Sequence, residues 1–343
     1  MKIRKMMMIA IALTAAGSLL GCAYAKKYNE DGVEITTFKL SHYRADGSPA
    51  DLALHTFADT VAATSDGTMN IEIYPAAQLG DYTVVQERVS IGDIEMQMAT
   101  LGTSRDKFFG MASGPYIAST WDEAYDIFNI DSEFTKLIDE HLAEQNLKLL
   151  AVYPLYFGGV ILDREPKDPA NLDFEEGIKI RCQSMKGSEL NARMLGYNPT
   201  PMALSDCFTA LQTGVINGMI GSGAEGYWSN YRDLAYTYIA YNDHFEVCYL
   251  YCNAEIYNAL SEEKKKALTE AAKALEEARW EVAPQETEEY EQKLAGNGTH
   301  VIKFTDEELN AFADKCWETV WPQLTDLYGE EAIELVKEIK GVE

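Results

Sequence analysis

The feature that most restricts this chain is its strand–helix–strand alternation near the start. Ile35 to Ser41 alternates as a strand. Ser48 then offers a helix N-cap with Pro49 at the first helical position, and Leu54, Phe57 and Val61 supply one apolar face before Asp66-Gly67 stops the helix. Met69, Ile71 and Ile73 alternate again, a helix runs from Tyr82 to Ile91 and stops at Gly92, and Ile94, Met96 and Met98 mark a third strand. This βαβαβ order predicts a layered α/β fold with parallel strands. The chain has 343 residues, more than one hydrophobic core usually holds, so two domains are expected.

Lys2, Arg4 and Lys5 precede an apolar run from Met6 to Leu20, followed by Gly21-Cys22. A basic start, a short apolar run and a small residue before a cut read as a secretory signal, too short to span a membrane comfortably. The whole chain carries 29 Lys+Arg against 55 Asp+Glu, and removal of the leader takes away three basic groups and no acid. Such an acidic protein is repelled by nucleic acid and by anionic lipid, which excludes both as partners. An anionic ligand therefore needs a locally positive pocket.

Of six cysteines, Cys248 and Cys252 lie in a segment that reads as a strand. Positions i and i+4 of a strand are about 13 Å apart, too far for a disulfide. No histidine stands at ligand spacing beside them, so no metal site is expected, and the cysteines read as small buried residues. His42 and His55 are bases by type and Cys182 and Cys207 nucleophiles by type. No nucleophile elbow, phosphate loop or metal-ligand pair accompanies them, so catalysis is not expected and no cofactor is implied.

The densest region runs from Gly177 to Tyr231. Gly177-Ile178-Lys179-Ile180-Arg181-Cys182 is a short strand with an arginine near its end. A charged side chain at a strand end, followed by a helix returning under the sheet, is a common way to build a ligand cleft. A guanidinium there can hold a carboxylate through two parallel hydrogen bonds, or it can pair with a surface acid.

The chain resembles the solute-binding proteins of TRAP transporters (tripartite ATP-independent periplasmic transporters), the DctP family. The resemblance rests on Gly177 to Arg181, on Pro199-Thr200-Pro201-Met202-Ala203, and on Ala210-Leu211-Gln212-Thr213-Gly214 with Asn217-Gly218. It extends to Tyr74-Pro75-Ala76-Ala77-Gln78-Leu79-Gly80 and to Asn242-Asp243-His244. It implies a two-lobed periplasmic-binding-protein-like fold of type II, each lobe a sheet flanked by helices. The long charged segment from Ser261 to about Leu294 would be a helix spanning both lobes. The implied organisation is a lipoprotein signal peptide over 1–21 and a flexible tether over 22–33. Lobe I would hold 34–154 plus about 242–280, and lobe II 155–241 plus about 281–343. Leu19-Leu20-Gly21-Cys22 resembles a bacterial lipobox, implying lipidation of Cys22 and a lipid-anchored, extracytoplasmic protein.

The resemblance also implies a function. Arg181 would anchor the carboxylate of a small organic acid, the lobes would close around it, and small and large membrane permease subunits would take delivery. A sulfonate could use the same arginine, and a ligand sensor or interaction module could use the same fold. By position the implied ligand contacts are Tyr43, Thr100, Ser184 and Leu204, with Gly221 at the place of a family contact; Tyr156, Phe157, Tyr227, Trp228 and Tyr231 are candidate aromatic walls or core residues. Two departures stand out. Where the family often carries an asparagine this chain has Gly221, and Phe157-Gly158-Gly159-Val160-Ile161 lacks the second arginine of acidic-sugar receptors. Both changes remove polar contacts and argue for a ligand other than sialic acid, smaller or more apolar.

Overall fold

The computed structural model describes residues 27–28 and 32–340; the leader, Cys22 and most of the tether lie outside them. Two six-stranded sheets organise the chain. In the first, Glu34–His42 pairs in parallel with both Met69–Tyr74 and Met96–Ala99, as the βαβαβ pattern predicts. Phe245–Asn253 then inserts antiparallel between Met96–Ala99 and Leu147–Phe157. The second sheet runs His300–Ile302, Thr237–Ile239, Gly159–Leu162, Gly218–Ser222, Lys179–Cys182, Asn198–Pro201. This is the two-lobed α/β plan.

The helix Pro49–Thr64 begins where Ser48 Oγ accepts from the Asp51 amide, and it buries Leu54, Phe57 and Val61. That face packs on the first sheet and on Leu268, Ala272 and Leu275 of the long helix Glu262–Gly296. Further along, Tyr290 and Leu294 of the same helix join the second lobe's core with Ile161, Tyr227 and Tyr238. One helix thus spans both lobes.

Local chemistry sets the breaks between the next elements. The segment from Trp121 to Gln145 divides into Trp121–Phe128 and Glu133–Ala143. Ser132 Oγ caps the second helix by accepting from the Thr135 amide at 3.0 Å, after Asn129 has turned extended. The next strand is Leu147–Phe157. Pro154, which lacks an amide donor, is tolerated beside an irregularity between Glu246 and Val247 of the partner strand. The long helix secures this crossover strand from outside. Arg279 Nε donates to the Pro154 carbonyl at 2.7 Å and Nη2 to that of Leu155 at 3.0 Å, while Glu276 accepts from the Val152 amide at 2.7 Å.

The C-terminal helices touch both lobes. Trp321 Nε1 donates to the Pro115 carbonyl at 2.9 Å, and Lys315 pairs with Asp173 at 2.8 Å. The five described cysteines are unpaired and buried, as expected of small core residues. Among the described residues no helix is long and apolar enough to cross a membrane, and no cluster of side chains could hold a metal ion.

Gly158 marks the passage between the lobes. Its amide donates to the His244 carbonyl at 2.7 Å, and a Cβ there would stand 2.1 Å from the His244 ring. Gly158→Ala is therefore expected to lower stability by about 1–3 kcal/mol, the usual range for overpacking, measured by urea denaturation. An unchanged midpoint would show that the ring can move aside freely.

Candidate functional site

A pocket of about 510 Å³ opens between the lobes. The first lobe lines it with Tyr43, Arg44, Tyr82 and Glu246, the second with Leu204, Phe208, Gly221 and Tyr231. Tyr43 and Arg44 project from the loop after Glu34–His42. That loop is held by the turn at Pro75–Gly80, where the Ala76 amide donates to the Arg44 carbonyl at 2.8 Å and the Ala77 amide to that of His42 at 3.0 Å. Ala76 and Ala77 both adopt positive φ, 51° and 56°, a conformation alanine rarely takes without tertiary support.

Arg181 sits at the end of its strand, 3% exposed. Its Nε donates to the Met202 carbonyl at 3.0 Å and Nη1 to the Ile220 carbonyl at 3.3 Å. Among the described residues no carboxylate ion-pairs with it. Its side chain is not part of the pocket's immediate lining, but its charge acts on Tyr82 and Tyr231, which line the pocket from opposite lobes. A buried guanidinium with only carbonyl partners keeps its full positive charge uncompensated, a condition an anion relieves.

The pocket floor is a buried polar network. Arg44 ion-pairs with Glu225 across the lobes, donates from Nη1 to Tyr156 Oη at 2.9 Å and lies over the Tyr156 ring. Tyr43 Oη donates to Glu246 Oε1 at 2.8 Å. His244 pairs with Asp243 at 2.9 Å, and Asn191 donates to the same carboxylate at 3.2 Å. Burial pushes the His244 imidazole down, but Asp243 first and Glu246 second outweigh it, and its pKa is raised to about 10. Burial likewise pushes the Glu246 carboxyl up, but His244, Arg44 and Tyr43 together hold it below the usual carboxylate range. Both groups are charged near neutrality.

The sequence-derived contacts fall into two groups. Tyr43, Leu204 and Gly221 line the pocket; Thr100, at the end of the strand Met96–Ala99, does not. Phe157 lies instead in an aromatic cluster, 5.5 Å from Trp121 and 5.1 Å from Phe245. Ser184 is exposed, and Trp228 packs against the second lobe's core beneath Arg232 at 5.4 Å. None of these three lines the pocket. The glycine at 221 has a physical reason: its φ is +101°, and a Cβ there would stand 2.7 Å from the Gln183 amide. The Gln183 side chain fills the space that a side chain at 221 would need.

Arg44 and Glu246 were not singled out by sequence. Arg44 follows a strand end, the same signal that marked Arg181, and Glu246 is a lone acid in the apolar run Phe245 to Cys252. Of the bases considered for catalysis, His42 is buried against Asp51 at 3.0 Å and His55 is exposed. Cys182 and Cys207 have thiols pushed up by burial, Cys182 to about 11, which opposes thiolate chemistry.

Comparison with known proteins places this geometry among others. The sequence model described as bacterial extracellular solute-binding protein, family 7 (DctP), matches residues 40–324. The chain is 25% identical over 310 residues to the C4-dicarboxylate-binding protein DctB of Bacillus subtilis, covering 88% of this chain and 86% of that protein. It is 27% identical over 187 residues to the sialic acid-binding periplasmic protein SiaP of Vibrio cholerae, a match spanning 53% of this chain and 56% of that one. Among solved structures, the sugar acid binding protein DctPAm from Advenella mimigardefordensis in complex with galactonate superposes with a TM-score of 0.82. That match has 21% identity and covers 90% of this chain and 99% of that one.

Proposed function

The chain belongs to bacterial extracellular solute-binding protein family 7, the DctP family of TRAP receptors, and we propose on that basis that it captures a small organic acid outside the cytoplasm. The observation that carries the ligand class is Arg181, a buried guanidinium beside the interlobe pocket with two carbonyls and no carboxylate for partners. An organic acid supplies the missing charge, and the planar fork fixes its orientation. Tyr43, Tyr82, Leu204 and Tyr231 would form the walls. The lobes would close by a hinge at the crossovers near Gly158 and Tyr241–His244, with the closed state favoured by contacts the ligand makes to both lobes.

In this reading the protein is a receptor that hands its ligand to small and large membrane permease subunits. Cys22, outside the described residues, would carry the lipid that keeps it near them. The Phe157, Ser184 and Trp228 contacts would require movement on closure, since none of them lines the pocket in the present conformation.

A thermal-shift screen of the purified protein against carboxylates, sulfonates, amino acids and neutral sugars tests the reading. A ligand at a hundred times its dissociation constant adds about 2.7 kcal/mol of stability, which such a screen detects. Stabilisation by a carboxylate is the expected result. Stabilisation by neutral sugars alone would contradict it.

A further inference from the structure

Glu246 shares its two nearest cations, Arg44 and His244, with other acids. Arg44 is matched by Glu225 and His244 by Asp243. Tyr43 satisfies Glu246 Oε1, but Oε2 has no hydrogen-bond partner although the residue is only 5% exposed. The nearest cationic atoms, Arg44 Nη1 and His244 Nε2, each stand 3.9 Å away, beyond hydrogen-bonding distance. An ionised, buried and half-satisfied carboxylate is costly unless something completes it. Glu246 also lines the pocket, so the missing partner can come from a ligand.

Arg181 poses the complementary problem on the other lobe, a buried cation with no carboxylate. Tyr82 links the two, since its phenol lies within electrostatic reach of both Arg181 and Glu246. Arg181 thus stands beside the pocket with no anionic partner, and Glu246 faces it with one oxygen unbonded and its two nearest cations, each already paired with another acid, at 3.9 Å. We propose that the ligand is a zwitterion, an amino acid or another small acid bearing a basic nitrogen, with its carboxylate on Arg181 and its ammonium donating to Glu246 Oε2. The proposal rests on the receptor reading above and narrows its ligand class.

A hydroxyl could donate to Glu246 but would leave its charge unmatched, whereas an ammonium supplies donor and charge together. A second carboxylate is disfavoured at this end, because Asp46 and Asp81 line the same pocket on the first lobe's side. Arg44 Nε also lacks a partner, but its charge is already neutralised by Glu225. A volume of about 510 Å³ accommodates a ligand of amino-acid size.

Isothermal titration with matched acids tests the proposal on the wild-type protein. The probes are alanine, lactate and propionate; valine, its hydroxy acid and isovalerate; and γ-aminobutyrate, γ-hydroxybutyrate and butyrate. In at least one set the amino-bearing member should bind about ten- to a hundredfold tighter than both partners, the range for a charge-assisted hydrogen bond. Glu246→Gln, with its fold checked by circular dichroism, should abolish that preference and leave binding of the plain acid in place. Equal or tighter binding of the hydroxy or plain acid in every set overturns the proposal, as does failure of every amino-bearing probe to bind. If plain acids bind and lose affinity in Arg181→Ala but no amino preference exists, the receptor reading stands and the zwitterion falls. If only neutral solutes bind, both fall.

Discussion

Arg181→Ala is expected to weaken binding of the captured acid by about 2–5 kcal/mol, from roughly thirty-fold to a few thousand-fold. The size follows from burial. Truncating one member of a desolvated, hydrogen-bonded charge pair leaves the other, here the ligand carboxylate, in a dry site without its partner. The variant also frees the Met202 and Ile220 carbonyls, so it should lose some stability of its own. Arg181→Lys separates the two effects. It keeps a positive charge but not the planar fork, and should recover part of the affinity. Titration calorimetry with a folded variant gives the answer directly, and undiminished affinity for the acid would make Arg181 a structural residue.

The second large effect is on stability against pH. His244 has a folded pKa of about 10, against 6.5 for the ordinary imidazole, because Asp243 and Glu246 overcome its burial. A raised histidine pKa gives stability that is complete below pH 6.5 and is lost as pH rises through about 10. In that window the folded protein holds a proton that the unfolded chain has released, so unfolding free energy should fall by about 1.4 kcal/mol per pH unit. Between about pH 7 and 8.5 the loss amounts to roughly 2 kcal/mol. Above that range the buried thiols, with pKa values raised by burial, add a decline of the same sign as unfolded cysteines ionise. His42 is lowered by burial and acts on the acid side of pH 6.5, outside the window. Urea denaturation at several pH values measures the slope, and His244→Asn should flatten it. An equal slope in the variant would assign the effect to another group.

How much of this was legible in the sequence depends on how far apart the partners lie. The parallel strands and the helix Pro49–Thr64 follow from local periodicity, a cap and a stop, all within one or two turns of chain. Arg181 was visible because a charge at a strand end is itself a local signal. The long helix was readable from Ser261 to Leu294, and the structure carries it to Gly296. The break at Asn129–Ser132 was not, because a serine side chain competing for amides looks like any serine in a polar stretch. The floor of the pocket was invisible for a different reason. Tyr43 meets Glu246 across 203 positions of sequence, and Arg44 meets Tyr156 across 112. No periodicity encodes such pairs; they exist only once the strand Phe245–Asn253 has inserted between Met96–Ala99 and Leu147–Phe157. Gly221 shows the same limit, since its reason is the Gln183 side chain packed over it.

If Arg181 holds a negative charge in this pocket, removing that charge from the ligand must weaken binding. The acid found by the thermal-shift screen is titrated calorimetrically against its own primary amide, which keeps size and shape and removes the charge. The amide is expected to bind at least about thirty-fold more weakly, the lower end of the cost of leaving a buried guanidinium unpaired. Equal affinity for acid and amide would contradict that role of Arg181.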